Sequence, residues 1–84
     1  MNERISKLVT ATDAWCDQNL PSNWTDDVDK YLPVWNEKFA ELIVRECLAQ
    51  ADALRDALES DGEDQQALGA DWVGLAISRH FGVE

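Results

Sequence analysis

Apolar side chains recur at helical spacing from the start of the chain. Ile5, Leu8, Val9, Thr12, Trp15 and Cys16 follow an i, i+3, i+4, i+7 pattern, with Glu3, Lys7, Asp13 and Asp17 on the opposite side. This predicts a first helix over about residues 2–18. Asn19-Leu20-Pro21-Ser22-Asn23 ends it, because Pro21 disfavours helical backbone at Leu20. Thr25 then reads as an N-cap, with Asp26 and Asp27 in a first turn where negative charge suits the helix dipole. Val28, Tyr31 and Leu32 give this short helix, near residues 26–32, its apolar side. Pro33 is expected to kink the chain or to open the next helix at its first position.

The main element is predicted over about residues 34–60, where no Gly or Pro interrupts good helix formers. Asp61-Gly62 stops it, with Gly62 suited to a left-handed C-cap. A last helix covers about residues 65–80, with Leu68, Trp72, Leu75, Ala76 and Arg79 on one face. Gly69 and Gly74 weaken it by about 1 kcal/mol each relative to Ala, so packing must hold it. Gly82 ends it. With no strand pattern, repeat or low-complexity tract, the sequence predicts an all-α fold. The expected architecture is a single domain over residues 1–84: a small bundle of three main helices plus the short one.

On a helical wheel the long helix is unusual. Residues 37, 38, 41, 45, 52, 55, 56 and 59 collect in one polar arc about 100° wide, and nearly everything else is apolar. A surface helix ordinarily shows an apolar stripe only somewhat wider than about 100°. Two short helices do not easily cover so broad a flank, which predicts a homo-oligomer with this helix at the interface. Glu46 and Gln50 interrupt the apolar arc one turn apart. A buried carboxylate there needs a partner, with Arg4, Arg79 and His80 as candidates, or a shifted pKa. The pair reads either as a ligand-facing polar site, or as a structural pair or edge position open to water.

Charge narrows the partners. Seventeen acids oppose seven bases, a formal net charge of -10 over 84 residues. That field repels nucleic acid and anionic membranes and favours basic partners or a local basic pocket; it also favours solubility. No run approaches the roughly 20 apolar residues of a membrane helix. The opening Met1-Asn2-Glu3-Arg4-Ile5 lacks the basic and apolar regions of a signal peptide, so a cytoplasmic location is expected. Cys16 and Cys47 then read as buried structural thiols on apolar helix faces.

No catalytic constellation emerges, and neither an enzyme nor a cofactor is expected. His80, the one histidine, lacks a second ligand at helical spacing, so no metal site is expected. Asp61, Gly62, Glu63 and Asp64 fail the spacing of a calcium loop, and phosphate-binding glycine motifs are absent. Of four tryptophans, Trp15, Trp35 and Trp72 fall at core phases, while Trp24 lies in the loop, either as a lid on the core or free to stack a base or anchor a partner.

Three segments carry a resemblance: Met1-Asn2-Glu3-Arg4-Ile5; Lys38 through Cys47, reading KFAELIVREC and preceded by Asn36-Glu37; and the terminal His80-Phe81-Gly82-Val83-Glu84. The chain resembles a group of small tailed-bacteriophage proteins that share this opening, an EKFAELIVREC segment and an HFGVE terminus. Segments 19–34 and 60–72 stand outside the resemblance. It implies a small accessory protein acting in the host cytoplasm, where such proteins often blunt defences or redirect enzymes.

Two functions follow as expectations. In the first, a homo-oligomeric module sequesters a small anionic, nucleotide-like ligand, with a binding site drawn from Arg45, Glu46, Gln50, Arg79, His80 and Trp24. Lys38 would join the cations and Trp35 would offer a second stacking surface. In the second, an acidic surface centred on Asp26, Asp27, Asp29, Asp52, Asp56, Glu59, Asp61, Glu63 and Asp64 docks on a basic host protein, or mimics nucleic acid before it.

Overall fold

The structure, a computed structural model, describes residues 2–83. Of these, 88% are helical, in three α-helices and one 3-10 turn, with no strand among them. α1 spans Glu3–Asn19, a 3-10 turn spans Trp24–Asp27, α2 spans Val28–Ser60 and α3 spans Asp64–Phe81. The chain divides into two compact units, Met1–Ile43 and Val44–Glu84, and α2 supplies helix to both.

The ends of the helices follow from local chemistry. Asn2 caps α1, its Oδ1 accepting from the Ile5 N–H at 3.0 Å. At its far end the Leu20 N–H reaches back to the Cys16 carbonyl at 2.8 Å before Pro21. α2 stops in a Schellman motif: Gly62 adopts φ 79°, its N–H bonds Glu59 O, and the Glu63 N–H bonds Leu58 O at 2.8 Å. α3 stops the same way, with Gly82 at φ 66° and the Val83 N–H on Ser78 O at 3.1 Å.

Pro33 does not open a helix of its own. Residues 26–32 do not form a separate helix, and Thr25 is not its N-cap. Thr25 lies inside the 3-10 turn, and α2 runs on through Pro33. A proline there frees the carbonyl of Asp29, but Asp29 and Pro33 are both exposed, so water can take that carbonyl. Tyr31, Val34 and Trp35 are half-buried just around the proline, and this packing outweighs the local penalty.

In the first unit, Thr12 and Cys16 of α1 are fully buried. The Thr12 hydroxyl is satisfied locally, donating to Leu8 O at 2.7 Å. In the second unit, Ala67 is the buried residue. α2 itself has no fully buried residue along its length.

α3 turns the opposite way from expectation. Leu68, Trp72 and Leu75 are exposed, Trp72 to 63%, as are Ala76 and Arg79. The helix instead lays a face of mainly small residues inward: Ala67 is buried, and Ala70, Gly74 and the larger Ile77 are half-buried. A Cβ built at Gly74 would lie 3.6 Å from Ala51 Cβ, so the two backbones approach closely there. α3 carries two apolar stripes, one of small residues and one of large. Periodicity cannot choose between them; in the fold Asp71, beside the inward stripe, pairs with Arg55 of α2. Cys47 also departs from expectation: it is exposed, so only Cys16 is a buried thiol.

Candidate functional site

In the first unit two carboxylates of α1, Asp13 and Asp17, accept from tryptophans. Trp24 Nε1 donates to Asp17 Oδ1 and Trp35 Nε1 donates to Asp13 Oδ1, each at 2.8 Å. Trp35 stacks on Phe39 with ring centroids 5.0 Å apart. The Lys38 ammonium lies 4.9 Å from the Trp15 ring centroid and 3.4 Å from Glu41 Oε2. Trp24, Trp35 and Lys38, considered for stacking and for anion binding, are thus engaged within the chain. Trp24 is half-buried, at the start of the turn.

The same carboxylates act on Cys16. Burial first, then the negative charges of Asp13 and Asp17, push its thiol above the ordinary value of 9.0. It is a neutral, packed thiol, the opposite of an activated nucleophile.

In the second unit one guanidinium gathers three acids. Arg55 Nη1 lies 3.0 Å from Asp71 Oδ1 and 3.8 Å from Asp52 Oδ1, and Nη2 lies 3.2 Å from Asp56 Oδ1. The hydrogen bond to Asp71, then that to Asp56, raises the Arg55 pKa still further. Beside this clamp opens a pocket of about 250 Å³ lined by Leu48, Asp52, Asp71, Gly74, Leu75 and Ser78. Gly74 makes room for it, two leucines give it apolar walls, and two carboxylates set its sign.

The residues predicted from sequence do not form this pocket. Arg45, Glu46, Gln50, Arg79 and His80 belong to the second unit and are exposed, and none of the five lines the pocket. Trp24 belongs to the first unit. Glu46 and Gln50 stand open to water, so the buried-carboxylate argument does not apply to them. Sequence reasoning placed Asp52 and Arg55 in the polar arc of the long helix, and Asp52 in the acidic surface, but missed Asp71 and the cluster that brings the three together. The available signal was Asp71, an acid in the small-residue stripe of α3. Among the described residues no group of three or more His, Cys, Asp or Glu side chains is placed to hold a metal ion, and no helix is long and apolar enough to cross a membrane.

Fold and site together define a small all-α protein, rich in acids, with an acid-lined pocket between two helices. Comparison with known protein families, with curated proteins and with solved structures finds no match to this chain.

Proposed function

We propose that this chain is a non-enzymatic, acidic protein-interaction module that docks on a basic protein. The observation that carries the reading is the sign of the pocket: Asp52 and Asp71 line it, and three carboxylates share the one guanidinium of Arg55. A lysine or arginine side chain suits such a site. Leu48 and Leu75 would take the aliphatic stem while Asp52 and Asp71 receive the charged head. The net charge of -10 would steer a basic partner toward it. An anionic, nucleotide-like ligand meets the wrong sign here, so the sequestration reading takes second place. The tailed-phage resemblance supplies the setting: a small accessory protein in the host cytoplasm, whose partner is a basic host protein.

The test uses a defined probe, a lysine- and arginine-rich amphipathic peptide titrated calorimetrically at low and high salt. Binding should weaken at least several-fold between about 50 and 500 mM salt, as screening shortens the Debye length. It should weaken again in Asp52→Asn, whose side chain makes only the longer contact with Arg55. A thermal shift with a nucleotide library, lost in Arg45→Ala, would overturn the reading in favour of ligand sequestration.

A further inference from the structure

The second unit leaves an apolar stripe unpartnered. Of the large apolar side chains exposed among the described residues, α3 carries Leu68, Trp72, Val73, Leu75 and Phe81, whereas α2 carries only Val28, Leu32 and Leu54. The unmet burial therefore concentrates on α3 and not on the broad flank of α2. Three of the α3 side chains form a line. At 100° per residue, Asp64, Leu68, Trp72, Leu75 and Arg79 fall within an arc about 80° wide. The line has an acid at its start, a cation at its end and apolar side chains between. All five are exposed. Among the described residues neither Asp64 nor Arg79 has an ion-pair partner.

The order of the line matters more than its greasiness. It reads the same in either direction about a point between Asp71 and Trp72, apart from the sign of its ends: Leu68 and Leu75 are equidistant from that point, as are Asp64 and Arg79. A surface of this kind is complementary to itself when turned around. Two such helices laid antiparallel set Leu68 against the partner copy's Leu75, Trp72 beside the two-fold axis, and Arg79 against the partner copy's Asp64, with every contact made twice. The acidic first turn and basic last turn, with Arg79 joined there by His80, also bring opposite helix-dipole ends together. A parallel arrangement sets acid on acid and cation on cation.

We infer that the outer stripe of α3 is the seat of a second copy of this chain, the two α3 helices crossing antiparallel beside Trp72. The seam shares Leu75 with the pocket, but Asp64 and Arg79, the charges that the test reverses, do not line it.

The experiment is sedimentation equilibrium on the full chain, with circular dichroism confirming that each variant stays helical. The wild type should associate to a dimer at roughly 100 µM, and Trp72→Ala should weaken that association about tenfold or more, as expected of an aromatic at the centre of a seam. Asp64→Arg and Arg79→Asp should each abolish it, because each sets like charges together twice. An equimolar mixture of the two variants should dimerise again, since each then supplies the charge that the other lacks. A merely structural role for these charges predicts no rescue on mixing. A monomeric wild type at that concentration, or a mixture that stays monomeric while the wild type dimerises, would overturn the proposal.

Discussion

Arg55 Nη1 donates to Asp71 Oδ1 at 3.0 Å, and this one bond joins the second half of α2 to the middle of α3. The same guanidinium also faces Asp52 and Asp56, so the site is a cation held among three acids. Its role is best seen through what is left when it goes. Arg55→Ala leaves three carboxylates near one another with nothing between them, and like charges then oppose the docking of α3. We expect a clear drop in melting temperature, followed by helical ellipticity, and a partial recovery in high salt as the repulsion is screened. Asp71→Asn should lose less, because Arg55 keeps two partners. A variant as stable as the wild type at low salt would show that the small-residue packing alone seats α3.

The two cysteines should behave as chemical opposites. Cys47 is exposed and Cys16 is fully buried. Iodoacetamide labelling of the native protein, read by peptide mass, should modify Cys47 first and Cys16 only on unfolding. The raised Cys16 pKa has a stability consequence with a definite sign. The folded state holds the thiol proton more tightly than the unfolded state, so its contribution is fully present below the ordinary value of 9.0 and is lost as pH rises through the higher native value. Stability measured against pH should thus fall more steeply above pH 9 in the wild type than in Cys16→Ala. Equal slopes would contradict it.

Glycine substitutions should separate two kinds of position. Gly74 lies inside α3 in helical backbone, and an added Cβ would meet Ala51 Cβ at an ordinary 3.6 Å. Gly74→Ala should stabilise the protein by roughly 0.5–1 kcal/mol through reduced freedom of the unfolded chain. Gly82 adopts φ 66° at the end of α3, where a side chain is strained, so Gly82→Ala should cost about 1–2 kcal/mol. Urea titration of both variants distinguishes the signs. Destabilisation by Gly74→Ala would mean that the approach of α2 and α3 admits no methyl group.

The helices were legible because their signals are local. Asn2, Asp61-Gly62 and Gly82 mark ends through backbone chemistry that a few neighbouring residues decide. Which face of α3 turns inward was not legible, because Leu68, Trp72 and Leu75 form a stronger apolar stripe than Ala67, Ala70 and Gly74. The inward face is marked by contacts no local pattern carries, a charge pair between residues 16 positions apart and close backbone approach at Gly74. The pocket was hidden for the same reason. Asp52 and Arg55 look like solvated polar residues until α3 brings Asp71 to them. In the sequence Glu46 and Gln50 stand out by helix phase, as breaks in an apolar arc, and Arg45 and Arg79 by their charge. Phase reports which side of a helix a residue occupies but not whether another element covers that side.

Pro33 offers the sharpest test of how packing overrides local preference. It sits at the sixth position of α2, where it lacks an N–H to offer the Asp29 carbonyl and its ring crowds that carbonyl. Leu32, just before it, is pushed away from helical backbone by the same ring. The turn ahead of it is held weakly, since Val28 and Leu32 are 48% and 45% exposed. What keeps the segment helical is packing from Tyr31 onward, with Trp35 bonded to Asp13 and stacked on Phe39. Pro33→Ala removes the clash and restores the bond while leaving those contacts in place. It should stabilise the protein by about 1–3 kcal/mol and slow hydrogen exchange at the amides of residues 32 and 34. The converse change, Trp35→Ala with Pro33 retained, should loosen residues 28–33 before the rest of α2, because it removes the packing that the proline is opposed by. Uniform loss of protection along α2 in that variant, or no gain from Pro33→Ala, would show that the helix start is set by something other than the contest between this ring and these contacts.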